Sequence, residues 1–294
     1  MSAPTRRIGS LTVSALGLGA MPLSMGRGEP APHDRAMATL HAALDAGITL
    51  LDTADIYAPS WDTMGHNEKF VAEALDSWDG DRSTITVATK GGITRSAEGG
   101  GRDGSATYLR AALETSLANL GTDSVGLYYW HRPDRSIRYA DAVEALATFQ
   151  QEGLIREIGI SNANTEEIDV ARDVRGEGGR AAVQNEFSPT FCHTSRAELR
   201  HCGEHGIAFV PWSPLGGTGG GAQAVGERFP QIQRVAEAHA VSPQQVVLAW
   251  EMSLGEHVIP IPGASRPESI TDSARAMHLE LSAEELEQLH QIIA

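Results

Sequence analysis

The sequence predicts an α/β protein that closes into a (β/α)8 barrel, with an N-terminal β-hairpin and two extra helices. Three observations predict it. Eight short apolar runs recur along 294 residues, amphipathic helical stretches separate them, and no shift of composition marks an internal boundary. Short runs that are apolar throughout are how parallel strands covered on both faces read. Strands alternating with helices give a parallel sheet, and eight such units close it. An open doubly wound sheet is the rival arrangement. One barrel domain is expected over residues 1–294, since single barrels commonly reach that size.

The strand candidates are 14–19 (SALGLG), 48–54 (ITLLDTA), 84–90 (TITVATK) and 125–131 (VGLYYWH), followed by 157–161 (EIGIS), 181–187 (AAVQNEF), 207–212 (IAFVPW) and 257–261 (HVIPI). Helices are expected between them. In 33–46, Met37, Leu40, Ala43 and Leu44 share one face and Gly47 ends the helix. Similar patterns run through 105–120, 139–152, 164–174, 194–205 and 267–277, with Gly121 and Gly153 placed just after helices. Residues 230–254 read as two helices broken near Ser242-Pro243, a cap followed by a first-turn proline. A last helix, 282–293, starts with the capping box Ser282…Glu285. Residues 6–13 read as a hairpin turning at Gly9-Ser10 that closes the N-terminal end of the barrel. Residues 91–104 and the glycine-rich 216–221 are expected to be long loops.

The net charge of −15 and pI near 5.1 argue against a nucleic-acid binder, which needs a basic patch. Cys192 and Cys202 fit no metal or redox spacing and are expected to be reduced thiols. The N-terminal MSAPTRRIGS has no apolar core behind its basic residues, so it does not read as a signal peptide. No apolar run approaches the ~20 residues that span a bilayer. A cytoplasmic protein, monomeric or weakly homo-oligomeric, with a small-molecule ligand and neither membrane nor nucleic-acid partner is expected.

In a barrel of this kind, functional residues sit at the C-terminal ends of strands. Asp52 and Asp55 close the second strand with Tyr57 just beyond, Lys90 closes the third, and His131 closes the fourth. Converging on one rim, they suit proton transfer. A carbonyl that receives hydride develops charge on oxygen, which a proton must meet. A free tyrosine has a pKa near 10 and is a feeble acid at neutral pH. A neighbouring Lys90 ammonium favours the phenolate and lowers that pKa. Asp52 can fix the lysine head, and His131 can donate a hydrogen bond to the carbonyl oxygen. Asp55 is read as a turn residue.

Several segments carry a resemblance: LDTADIY (51–57), GHNE (65–68), ATKGG (88–92), YYWHRPD (128–134), IGISN (158–162), VQNEFSP (183–189), PWSPLGG (211–217) and IPGASRPE (261–268). In order and spacing they resemble the aldo-keto reductase superfamily along nearly the whole chain. The resemblance implies a catalytic tetrad of Asp52, Tyr57, Lys90 and His131, and reduction of aldehyde or ketone carbonyls to alcohols with NADPH as cofactor, NADH being possible. It also implies cofactor contacts. Gly19, Ala20 and Met21 would lie at the barrel mouth near nicotinamide. Ser161, Asn162 and Gln184 would hold its carboxamide, supplying both donors and acceptors. Trp212 would stack on its ring. Ser213, Pro214, Leu215 and Gly217 would follow the pyrophosphate. Asp52 would touch the cofactor as well, and Ser265, Arg266, Asp272 and Ser273 would meet adenosine. The Rossmann fingerprint is missing, because Gly17-Leu18-Gly19 runs into Ala20-Met21-Pro22.

The chain departs from the family at Ser269, where many members have a second arginine, and at Asp272-Ser273, where Glu-Asn is frequent. NADPH is still expected over NADH, because Arg266, Ser265 and the following helix N-terminus suit a phosphate. Long members have a C-terminal tail over the pocket. Here the sequence stops after 282–293, so an open pocket is expected, walled by 22–32, 91–104 and 215–229. Met21, Trp61, Tyr129 and Trp130 are candidate lining residues. Two alternatives differ in kind. A nicotinamide-binding regulatory subunit of the potassium-channel β type would share the fold and show little turnover. A metal-dependent hydrolase needs several converging His or acidic ligands, whereas these strand ends offer one histidine and a lysine.

Overall fold

In the computed structural model, the described residues are 3–26, 29–176, 182–193, 195–217 and 220–293. Residues 27–28, 181, 194 and 218–219, which belong to expected loops, a strand start and a helix start, lie outside them.

The chain opens with an antiparallel hairpin, β1 (Thr5–Ile8) and β2 (Leu11–Ser14). It turns at Gly9, whose φ of +57° only glycine adopts without strain. A β-carbon there would lie 2.4 Å from the Glu157 carboxylate, which accepts a 2.6 Å hydrogen bond from the Ser10 N–H. Ile8, Leu11 and Val13 thereby plug the barrel floor against Leu50, Leu127 and Tyr129.

Next come β3 (Leu18–Gly19), α1 (Met21–Ser24), α2 (His33–Asp45), β4 (Leu50–Asp52), α3 (His66–Ser77) and β5 (Thr86–Gly91). A second hairpin, β6 (Ile93–Ser96) and β7 (Gly99–Arg102), precedes α4 (Ala106–Leu120), β8 (Val125–Trp130), α5 (Tyr139–Gln151), β9 (Ile155–Ser161) and α6 (Thr165–Arg175). Then follow β10 (Ala182–Gln184), α7 (Arg196–His205), β11 (Ala208–Phe209), α8 (Gly221–Arg228), α9 (Pro230–His239), α10 (Pro243–Ser253), α11 (Pro267–Arg275) and α12 (Ala283–His290).

Seven strands form one parallel sheet in the order β11-β10-β9-β8-β5-β4-β3. Residues 258–263 close it, bridging Phe209 and Trp212 on one side and Gly19 on the other. The expected strand 257–261 is therefore present in place but not as a regular ladder. Pro260 and Pro262 cannot donate; their carbonyls accept from Gly17 and Gly19 instead. The first barrel strand is likewise shorter than the expected 14–19.

One loop expectation is corrected: residues 91–104 contain the β6–β7 hairpin. The expected loop 216–221 holds through Gly220 among the described residues, and an unexpected helix, α8, starts at Gly221. Glycines at 99–101 and 220–221 hid both, because pattern arguments read glycine as loop.

Period-two alternation sets the site. On β8, Leu127 and Tyr129 face the barrel interior, while Tyr128 and Trp130 pack outward among the helices. Leu50, Ala88 and Ala182 also face inward. By the same parity, Asp52, Lys90, His131 and Gln184 stand on the inner face at the C-terminal ends of their strands. Gly159 makes room below them, since a β-carbon there would meet the Tyr129 ring at 2.1 Å. Tyr129 and Trp130 are thus core residues rather than pocket walls, and Trp61, 49% exposed, lies outside the cavity.

Candidate active site

Lys90 is completely buried, and its ammonium is surrounded by oxygen. It donates to Asp52 Oδ1 at 2.5 Å, to the Thr53 carbonyl at 2.7 Å and to Tyr57 Oη at 3.4 Å. The second Asp52 oxygen accepts from Gln184 Nε2 at 2.7 Å. Tyr57 sits in the turn after β4, anchored through backbone bonds to Ala54 and Asn67. The His131 ring stands edge-on to it, 5.7 Å between centroids. Three strand ends and one turn thus place the expected tetrad in a single cluster.

The electrostatics differ from the sequence expectation on one point. Burial raises the Tyr57 pKa, and the pull of Lys90 does not fully offset it, so the net shift is upward. Tyr57 is therefore a neutral phenol that carries its proton. Burial lowers the Lys90 pKa, but Asp52 and Tyr57 together outweigh it and the net is raised, so the ammonium persists. Burial raises Asp52 against the opposing Lys90. His131 is held well below its ordinary value by burial, then by Lys90 and Arg132, so its imidazole is neutral. Its Nδ1 has no partner among the described residues.

Asp55 stands in a turn, as the sequence suggested, but that turn is buried. It is 4% exposed, and neither carboxyl oxygen has a hydrogen-bond partner among the described residues. Burial and then the Glu68 carboxylate raise its pKa well above the usual range. Asn67 and Glu68 were noticed in the sequence but given no role. Asn67 ties Ala20, Ser24 and Thr53 together, and Glu68 accepts from Thr89 and Asn119. They brace the strands behind the tetrad.

A cavity of about 1320 Å³ runs from Tyr57 and His131 to the start of α11. Its wall includes Gly19, Met21, Asp52, Ser161, Asn162, Gln184 and Trp212, then Ser213, Pro214, Leu215 and Gly217, and finally Ser265, Arg266, Asp272 and Ser273. Two expected residues are not on it. Ala20 is fully buried with its carbonyl bonded to Asn67, and Lys90 lies behind Tyr57. Several polar groups are already engaged. Ser161 donates to the Gln184 carbonyl, Asn162 Nδ2 donates to Ser161 and the His131 carbonyl, and Asp272 accepts from Ser242 and Gln245 at 2.6 Å each. Asn162 is left with its amide oxygen, and Gln184 with its amide oxygen and one N–H. Ser213, Gly216 and Gly217 have φ of +54°, +88° and +74°, a left-handed run along the cavity wall. An extended ligand with an amide at one end and an anion near Arg266 fits these walls.

Ile93, Arg132 and Glu186 also line the cavity and were not singled out in the sequence. The available signal for Arg132 and Glu186 was position, since each stands at or just past a strand end beside an expected site residue.

The aldo/keto reductase family model matches residues 15–294. Among curated relatives, probable aldo-keto reductase 1 of Glycine max is 30% identical over 96% of this chain and 86% of its own length. The NADP(+) aldo-keto reductase yakc of Schizosaccharomyces pombe is 32% identical over 96% and 89%. A solved aldo-keto reductase from Klebsiella pneumoniae, in complex with NADPH, superposes with a TM-score of 0.81 at 27% identity, covering 99% of this chain and 95% of that one. With the barrel, the cavity and the Asp52–Lys90–Tyr57 cluster, these matches establish that the chain belongs to the aldo/keto reductase family.

Proposed function

We propose that the protein reduces aldehydes or ketones to alcohols with NADPH. The observation that carries this reading is a protonated Tyr57 on the cavity wall, backed by a fully buried ammonium and flanked by a neutral imidazole. NADPH, when bound, supplies the hydride. Ser161, Asn162, Gln184 and Trp212 would hold its nicotinamide end, and Ser265 and Arg266 its adenosine end.

The chain's own residues handle the proton. Tyr57 gives the phenolic proton to the carbonyl oxygen as charge develops there. Lys90, 3.4 Å away, then stabilises the phenolate. Asp52 and the Thr53 carbonyl keep the ammonium aimed, and Gln184 keeps Asp52 aimed. His131 offers an N–H to the carbonyl oxygen, and as a neutral ring it adds no competing acid. Placed acid catalysis typically contributes ~10²–10⁴-fold. Tyr57→Phe should therefore reduce kcat by at least about 10²-fold while leaving NADPH affinity nearly unchanged. Stopped assays on simple aldehydes and NADPH fluorescence titration would read the two separately. A variant keeping more than about a tenth of the rate would remove Tyr57 from this role.

A further inference from the structure

Resting on that reductase reading, we propose that the substrate is a carbonyl compound bearing a carboxylate, which Arg132 holds. Arg132 follows His131 at the top of β8, and its guanidinium carbon lies 5.9 Å from the centre of the Trp212 ring. The His131 and Tyr57 rings are 5.7 Å apart. Tyr57, His131, Arg132 and Trp212 thus form one continuous stretch of cavity wall. A molecule that offers its carbonyl to Tyr57 and His131 comes within reach of the guanidinium.

Three arginines line the cavity. Arg35 lies on α2 and Arg266 at the start of α11, two helices packed on each other at the far end. Arg132 is the cation of the catalytic end among the described residues. Other arginines near the rim are held by backbone carbonyls: Arg95 Nη1 donates to Ile56 and Ala58, and Arg102 Nη1 to Pro133. Arg132 has neither a hydrogen bond nor an ion pair within 4.0 Å among the described residues. Its fork of donors, suited to a bidentate carboxylate, is open to the cavity.

Glu186 is the local competitor. It shares the wall, yet burial raises its pKa despite the pull of Arg132, which fits a pair that is near but not closed. Beyond the groups that would hold nicotinamide (Ser161, Asn162, Gln184), the cavity wall offers the apolar side chains Met21, Met25, Ile56 and Ile93. A polyhydroxylated substrate would find few partners there, whereas a short hydrocarbon with one carboxylate matches an apolar wall with one cation.

The test compares 4-carboxybenzaldehyde with its neutral methyl ester, methyl 4-formylbenzoate, for wild type, Arg132→Met and Arg132→Lys. A charge-assisted contact is worth about 10–100-fold. Wild type should prefer the acid by about that ratio, expressed in KM. Arg132→Met should lower kcat/KM for the acid at least tenfold more than for the ester, and Arg132→Lys should retain part of the preference. Equal use of acid and ester by wild type, or an unchanged ratio in Arg132→Met, overturns the proposal and leaves the reductase reading standing. So does a variant whose only defect is NADPH affinity, which would make Arg132 a cofactor residue. Turnover of neither compound overturns the reductase reading, and this inference with it.

A separate observation carries a second site. On α7, His201, Glu204 and His205 bring one ligand atom each to within 4.8 Å of one another. Positions i and i+4 share a helix face, and the two imidazole rings are 4.4 Å apart. Each ring has one nitrogen already directed to an acceptor: His201 Nε2 to Asp169 of α6, and His205 Nδ1 to the His201 carbonyl, both at 2.8 Å. That is the outer-shell pattern that fixes a histidine tautomer for metal binding. It leaves His201 Nδ1 and His205 Nε2 as lone-pair donors. We infer a surface site for a divalent transition ion such as Zn²⁺, with two nitrogens, one carboxylate oxygen and water completing the shell. Calorimetry with ZnCl2 on tag-free protein should show one equivalent bound. That equivalent should vanish in His201→Ala/His205→Ala and weaken in Asp169→Asn, whose side chain touches no metal. Absence of saturable binding, or a full equivalent in the double variant, overturns the site.

Discussion

At the scale of single residues, the tetrad is a question of which charge wins. Burial makes Tyr57 a weaker acid than free tyrosine, so in the proposed mechanism Lys90 would act by limiting that penalty and by stabilising the phenolate. Lys90→Met should cut kcat by about 10²-fold or more. It also strands the Asp52 carboxylate, and an unpaired buried charge costs about 3–5 kcal/mol. The double variant Asp52→Asn/Lys90→Met removes both charges and should recover much of the lost thermal stability without recovering activity. Melting curves beside turnover assays separate the two effects. Wild-type turnover in either variant would mean that the ammonium is structural only. Asp52, Tyr57, Lys90 and His131 were legible in the sequence because each lies at or just past a strand end. The state of Asp55 was not, because its environment comes from Glu68 on α3 and the barrel wall beside it.

At the scale of elements, helix α10 contains an unresolved tension. Glu251 is completely buried, and neither carboxyl oxygen has a partner among the described residues. Burial raises its pKa well above the ordinary 4.5. The native state therefore keeps a proton that the unfolded chain releases. Stability falls as pH rises from the unfolded value toward the native one, and it is fullest below both. Glu251→Gln removes that dependence. Its Tm should exceed that of wild type near pH 8, and by less near pH 5. Scanning calorimetry at the two values would show it, and a gap that narrows as pH rises would refute it. Element readings failed for a different reason. The β6–β7 hairpin and α8 are rich in glycine, and no apolar periodicity announces them. Packing and backbone pairing define them instead.

At the scale of the whole molecule, closure of the sheet by 258–263 sets the start of α11 at the far end of the cavity that begins at Tyr57. Arg266, which caps that helix start and reaches Ser269 at 3.4 Å, faces the position where a 2′-phosphate is expected. The net charge of −15 opposes an anionic ligand, but salt screens distant charge beyond ~8 Å, so the local guanidinium should prevail. NADPH should be preferred over NADH by about 10–100-fold in kcat/KM, and Arg266→Ala should abolish most of that ratio. Equal use of both cofactors by the wild type would contradict the preference, and an unchanged ratio in the variant would clear Arg266.

The sequence by itself determined the alternation of strands and helices, the hairpin at Gly9, the caps at Ser242 and Ser282, and the placing of four titratable groups at one rim. These follow from local rules: periodicity, turn chemistry and the position of a residue along a strand. Only the tertiary structure decided that Tyr57 carries its proton, that Asp55 is buried without a partner, that Gln184 is tied to Asp52 and that Arg132 stands open beside Trp212. Each of these depends on how many distant atoms replace water around one group. That number is set when β4, β5, β8 and β10 come together on one barrel axis, and residues adjacent in sequence do not contain it.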